Sequence, residues 1–144
     1  MVSVNDVADY ILEKQGSMSA MKLQKLVYYS QAWHLVWHDK PLFKERIEAW
    51  TNGPVCPVLY QKHKGCFTLE PGFFDGNPEL ILKKSKNSIK KILDFYGPRD
   101  AQWLSELTHR EAPWKDARVG IAADEIGTIE ITHAAMAEYY HGLA

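Results

Sequence analysis

The stretch MKLQKLVYYSQAWHLVWHDKPLF, residues 21–43, decides the fold because apolar side chains surround the helix that it predicts. At 3.6 residues per turn, one broad face of this helix carries Leu23, Leu26, Val27, Ser30, Trp33, His34 and Trp37. Tyrosine and aliphatic side chains cover most of the remaining surface. A helix that is apolar nearly all round is enclosed by other elements. The stretch therefore predicts a central buried helix over about residues 19–39, which ends before Pro41.

Only a narrow strip of this helix is predicted to stay polar. Gln24, Gln31 and His38 follow one another at intervals of seven residues and share one side of the helix. Lys22 and Lys25 lie near its start, where their long stems are expected to carry the amines to water. The rest of the helix is expected to contact the core.

Capping and helix-breaking residues predict shorter helices around the central one, with a further helical turn after Pro113. Their predicted starts are Ser3, Pro57, Ser85 or Ser88, Asp100 and Thr132, and their predicted ends are Gly16, Gly65, Gly97 and about His141.

Strand signals are few and short. Residues 45–50 alternate around Ile47 and Ala49 and then meet Asn52-Gly53-Pro54, a pattern typical of a strand that ends in a turn. TIEI at 128–131 is also strand-like, whereas residues 66–84 fit either a two-stranded flap or an irregular loop. The predicted fold class is mainly α: a compact single-domain helical bundle around the central helix, with one or two short β-hairpins or strands.

Length and composition are those of one ordinary globular domain. The 144 residues are 46% apolar and 24% charged, and the formal net charge of -1 gives no global field that would attract nucleic acid. The N-terminus has acidic residues where a signal peptide is basic, and no apolar run reaches the ~18 residues that span a bilayer. We therefore expect one domain over residues 1–144, a cytoplasmic location, no membrane partner, and reduced thiols at Cys56 and Cys66.

Two sets of residues have metal-ligand chemistry. His34 and His38 are four apart, but the glutamate of a metalloprotease helix is missing, so we favour a core histidine bonded to a backbone carbonyl and a surface histidine. Cys56, His63 and Cys66, which could close with His109 or His34, match no standard zinc spacing. We predict neither a metal nor a cofactor.

Other candidate functions have weaker signals. KKSKNSIKK, residues 83–91, holds five lysines and is best explained as a solvated helix face, with a DNA-binding regulator as the alternative. His109 and Glu111 would permit acid–base chemistry, but a helix end with Trp114 packed over the junction is the favoured interpretation. No glycine-rich phosphate loop or nucleophile elbow is present, so we predict that the protein is not an enzyme.

The sequence resembles the Panacea domain family in three stretches: KLQKLVYYSQAWHLVWHDKPLF, IEAWTNGPVCPVLYQKHKG and LSELTHREAPW. The resemblance extends over nearly the whole chain and is most specific over residues 22–65 and 104–114. In the family an aromatic residue commonly precedes the Gly-Pro pair, where this chain has Asn52, and a glycine often stands in place of Ala32.

The resemblance implies a helical antitoxin that neutralises a cognate toxin protein by direct binding, or an adaptor that delivers the toxin to an ATP-dependent protease. Neutralisation by contact needs aromatic anchors, and Trp50, if it is not a lid over the central helix, would point outward beside the turn. A homo-oligomer would fit an exposed apolar patch equally well. The predicted partner-binding residues are Trp50, Asn52, Pro54, Val55, Tyr60, His109 and Trp114.

Overall fold

The computed structural model describes residues 2–144, which form seven helices and five short strands. The helices are α1 (Val4–Gln15), α2 (Ala20–His38), α3 (Pro57–His63), α4 (Lys83–Tyr96), α5 (Ala101–Arg110), α6 (Ala112–Ala117) and α7 (His133–His141). The strands are β1 (Met18–Ser19), β2 (Ile47–Trp50), β3 (Gly53–Val55), β4 (Thr68–Leu69) and β5 (Glu130–Ile131), and a 3-10 helix spans Pro78–Leu80. Within this described part of the chain, no helix is both long and apolar enough to cross a membrane.

Helix α2 is the centre of the fold, as its apolar surface predicts. It packs against α1, α4, α5, α7 and β3. The Ser19 side chain caps its start by accepting from the Lys22 amide at 3.1 Å. It ends at Asp39, which takes the left-handed conformation two residues before Pro41. The mainly helical bundle around one central helix, with a few short strands, is confirmed.

Gln24 and Gln31 of the polar strip are buried, and so is Lys25, so the prediction that Lys25 reaches water is wrong. Gln24, Lys25 and Gln31 are at most 3% exposed. Their hydrogen-bond partners are backbone groups of neighbouring segments, which replace water. Trp37, in contrast, was predicted on the packed face and is 40% exposed, because it lines an open groove beside Lys91 and Phe95 of α4.

Several predicted caps are confirmed, and one is wrong. Ser3 forms a capping box with Asp6, and the side chains of Asp100 and Thr132 cap α5 and α7. Helix α4, however, begins at Lys83 and not at Ser85 or Ser88. Both serines are buried inside the helix, where their hydroxyls hydrogen-bond the histidines of α2 and do not cap a helix end.

Two small antiparallel sheets complete the fold. Strands β2 and β3 form a hairpin whose turn is at residues 51–52, and β5 pairs with the other edge of β2. Gly53 and Pro54, predicted in the turn, therefore belong to β3. The second sheet pairs β1 with β4. A flap within 66–84 is thus wrong, because Thr68 and Leu69 find their partners just before α2.

Candidate functional site

The β2–β3 hairpin is held in place by polar side chains from two helices. Gln24 binds both backbone groups of Cys56: its amide nitrogen donates to the carbonyl at 3.2 Å, and its oxygen accepts from the amide at 2.8 Å. Lys25 donates to the Pro54 carbonyl at 3.3 Å. From α5, the Ser105 hydroxyl donates to the Asn52 carbonyl at 2.6 Å. The hairpin is therefore fixed from below by α2 and from its turn by α5.

An open cleft of about 380 Å³ lies beside the hairpin. The Trp50 and Tyr60 rings meet edge to face across 4.8 Å, and the indole nitrogen donates to Glu48 at 2.9 Å. Both rings are half-buried, so each keeps exposed surface for a ligand. The cleft is lined by Ala20, Met21, Gln24, Lys25, Trp50, Thr51, Asn52, Val55, Tyr60, His63 and Ile126.

Four of the seven predicted partner-binding residues line this cleft, namely Trp50, Asn52, Val55 and Tyr60. Pro54 does not, because it is buried, and its carbonyl accepts from Lys25. Its contribution is therefore to hold the buried lysine.

His109 and Trp114 lie behind the hairpin and not in the cleft. Their rings are stacked with centroids 4.1 Å apart, and the Trp114 indole donates to the Trp50 carbonyl at 2.7 Å. Burial lowers the pKa of His109, and the charges of Lys25 and Arg118 lower it further. The Nε2 atom of His109 is buried without a hydrogen-bond partner in residues 2–144. This stack therefore contacts the hairpin at the Trp50 carbonyl without lining the cleft.

Glu111 is not arranged as the acid–base partner of His109. Its Oε1 atom accepts from the hydroxyls of Tyr29 at 2.7 Å and Tyr140 at 2.8 Å. Burial raises the pKa of Glu111, and the two phenol hydrogen bonds oppose that shift. The carboxyl therefore joins α2 and α7 at the start of α6.

Lys25 is the functional candidate that the sequence pattern missed. It is 1% exposed although it lines the cleft, and desolvation lowers its pKa to about 8. Gly53 lies directly against its stem: a Cβ there would be 2.5 Å from Lys25 Cε. Its position between Leu23 and Leu26, in an apolar stretch, could have indicated that Lys25 is buried. A lysine at such a position can equally extend its stem to water, so the pattern did not decide.

The histidines considered as candidate metal ligands make other hydrogen bonds. His34 donates from Nδ1 to the Lys40 carbonyl at 2.7 Å, as predicted, and bonds Ser85 at 2.8 Å, while half-buried His38 bonds Ser88 at 2.6 Å. Cys56 is buried and Cys66 is exposed, and His63 accepts from Gln24. Across residues 2–144, no three His, Cys, Asp or Glu side chains are grouped to hold a metal ion.

The lysines of α4 face outward. Lys83, Lys84, Lys90 and Lys91 are exposed, and Lys86 is half-buried, whereas Ile89 and Ile92 face the core. This is the arrangement of a solvated amphipathic helix.

Comparison with known proteins identifies the family. The family described as Antitoxin SocA-like, Panacea domain, matches residues 23–115, which include most of α2, the hairpin, the cleft aromatics and the His109–Trp114 stack. The chain is 37% identical over 94 residues to Antitoxin SocA of Caulobacter vibrioides (strain NA1000 / CB15N). That alignment covers 62% of this chain and 43% of the relative, so the chain spans less than half of the relative's length. No solved structure matches.

The chain belongs to the SocA-like antitoxin family, of which the Panacea domain is the shared module. The match covers residues 23–115, and a single domain of this family over residues 1–144 stays a prediction.

Proposed function

We propose that the protein is an antitoxin that binds and neutralises a toxin protein encoded beside it, and that it acts in the cytoplasm without catalysis. The observation that carries the proposal is that the matched region contains a cleft with two partly exposed aromatic anchors. Family membership supports the antitoxin role, and the cleft supports the means, which is contact between two polypeptides.

The hairpin is suited to this role because it is rigid before the partner arrives. Gln24, Lys25, Ser105 and Trp114 each hydrogen-bond its backbone or the residue that follows it. A surface that is already ordered loses little conformational entropy on binding. Large aromatic residues at the centre of such a surface commonly dominate the binding energy. We therefore assign the main toxin contact to Trp50 and Tyr60.

Delivery of the bound toxin to an ATP-dependent protease is a variant of the same proposal. It would need a second surface, and a groove of about 440 Å³ is available on the far side of α2 from the cleft residues. The groove is rich in aromatic side chains, among them Trp33, Trp37, Phe95 and Trp103. Loss of rescue in a host that lacks the protease, with toxin binding retained, would support this variant.

Co-expression with the neighbouring toxin gene tests the proposal. The wild-type protein should restore growth, whereas Trp50→Ala should lose rescue because the cleft loses its main anchor. Phe67→Ala is the matched control, since Phe67 is 81% exposed just before β4 and lines neither the cleft nor the aromatic groove. A toxic neighbour that the wild-type protein does not rescue would contradict the antitoxin function. Full rescue by a folded Trp50→Ala protein would contradict the site.

A further inference from the structure

Lys25 is a buried cation for which the protein supplies no anion. In residues 2–144 the ion pairs are those of Arg46 with Glu48 and with Glu130, and none includes Lys25. The amine has three hydrogen-bond donors. Its one bonded partner in the described chain is the Pro54 carbonyl at 3.3 Å.

The unneutralised charge of Lys25 acts on the histidines near it. Burial lowers the pKa of His63, which lines the cleft, and the pKa of His109, and the charge of Lys25 lowers both further. The carboxylate of Glu48 is engaged by Arg46 at 3.1 Å and by the Trp50 indole at 2.9 Å, so it does not neutralise the lysine. The cleft therefore has positive potential inside apolar walls, where charges interact strongly.

A purely structural explanation accounts poorly for a lysine at this position. Burying a charge without a counter-ion destabilises the fold, and apolar residues of similar size are often as stable or better. One hydrogen bond to a carbonyl could be made by a neutral donor. The stem is also tightly enclosed, because Gly53 has no side chain and leaves the space that Lys25 Cε fills.

We infer that the cleft is a carboxylate-binding site, in which Lys25 pairs with an aspartate or glutamate side chain of the toxin beside the Trp50 and Tyr60 rings. This assignment rests on the proposed antitoxin function and names the chemistry of the partner. The cleft and the toxin are complementary in charge, because a carboxylate of the toxin neutralises the Lys25 cation that has no counter-ion in the free protein. The aromatic rings exclude water around the pair and strengthen it.

The test measures toxin affinity by calorimetry for the wild type, Lys25→Met and Lys62→Met. The toxin is released from the co-expressed complex with denaturant and refolded. Lys62 is exposed on α3, is not one of the residues that line the cleft, and controls for the loss of one positive charge. Removing one partner of a buried charge pair should weaken binding by roughly 30-fold or more for Lys25→Met. Lys62→Met should change it by less than about 3-fold.

A second arm does not depend on how Lys25→Met folds. Each Asp and Glu of the toxin is replaced by its amide and measured against the wild-type protein. One such variant should lose about as much affinity as Lys25→Met and lose little more when the two are combined.

The outcomes separate the two proposals. A wild-type protein that does not bind the toxin overturns the antitoxin function and this inference with it. Unchanged affinity of a folded Lys25→Met protein, or a toxin in which no acid-to-amide change weakens binding, overturns the carboxylate site alone.

Discussion

At the scale of single residues, the buried glutamines of α2 hydrogen-bond backbone groups of the segments that pack against the helix. Gln31 donates to the Phe43 carbonyl at 2.8 Å and accepts from the Leu42 amide at 2.7 Å, as Gln24 does with both backbone groups of Cys56. Each glutamine therefore satisfies a buried donor and a buried acceptor in a segment without regular structure. Buried backbone groups need such partners, and water is excluded here.

Gln31→Leu should destabilise the protein by about 2 to 4 kcal/mol, because it leaves the Leu42 amide and the Phe43 carbonyl without partners. Urea unfolding of the two proteins measures the difference. Gln61→Leu, at an exposed position of α3, is the control and should change the free energy of unfolding by less than about 0.5 kcal/mol. Equal stability of Gln31→Leu and the wild type would contradict the role given to this side chain.

Lys25 should make stability increase with pH. Its pKa is lowered to about 8 in the folded protein from 10.5, so between these values the unfolded chain holds a proton that the folded chain has lost. The lysine should therefore add about 2 kcal/mol of stability from about pH 7 to about pH 9.5. The measurement is the unfolding free energy of the wild type minus that of Lys25→Met across this range, since other titrating groups cancel in the difference. A flat difference would contradict the burial of a charged amine.

At the scale of elements, the hairpin and α2 are fitted to each other through one glycine. Gly53 has φ +123°, which other residues rarely adopt, and Lys25 Cε occupies the space where its Cβ would be. The hairpin can lie this close to α2 because that side chain is absent. The shape of the cleft depends on this close approach.

Gly53→Ala should cost about 2 to 4 kcal/mol, because it adds a steric clash with Lys25 to backbone strain. Gly65→Ala is the matched control: φ is +87° there, but nothing lies within 4 Å of the added carbon. The control should cost only about 1 to 2 kcal/mol. Thermal unfolding of both variants gives the comparison, and equal losses would mean that the contact with Lys25 is unimportant.

At this scale, the sequence predicted the features whose interacting residues are close together in the chain. The caps at Ser3, Asp100 and Thr132 act within one turn, and each was predicted. The pairing of β1 with β4 joins two-residue strands far apart in the chain, for which no local pattern exists. Ser85 was misassigned as a helix start because a serine that caps and a serine that bonds a neighbouring helix have the same sequence signature.

The same distinction holds for the candidate site. Trp50 and Tyr60 could be selected from their chemistry and their position beside the hairpin, and both line the cleft. Lys25 could not, because whether a lysine stem ends in water or under a hairpin is decided by elements that are distant in sequence. His109 and Trp114 were selected with the cleft residues, but they lie behind the hairpin.

At the scale of the whole molecule, a group of tyrosines around Glu111 joins the N-terminal and C-terminal parts of the chain. Tyr140 of α7 donates to Glu111 and hydrogen-bonds Tyr28 of α2 at 3.0 Å, while Tyr29 also donates to the carboxyl. The Tyr29 ring stacks on Tyr96 of α4 at 4.0 Å. Three helices and the α5–α6 junction are thereby connected at one point.

Tyr140→Phe should lower the free energy of unfolding by about 1 to 3 kcal/mol, since it removes one donor from buried Glu111 and the partner of Tyr28. Urea unfolding measures the loss, and amide exchange should show that α7 opens more readily. Tyr139→Phe is the control, because the neighbouring ring is half-buried and its hydroxyl makes no hydrogen bond in the described structure. A loss no larger than that of the control would show that the Tyr140 hydroxyl does not stabilise the fold.

The central claim is that a toxin binds at the hairpin cleft, and amide hydrogen exchange of the protein with and without its toxin tests it most directly. The toxin should slow exchange in residues 47–60, which contain the hairpin, Trp50 and Tyr60, and should leave exchange on the exposed side of α4 unchanged. Slower exchange confined to α4 or to the aromatic groove, with residues 47–60 unaffected, would contradict it.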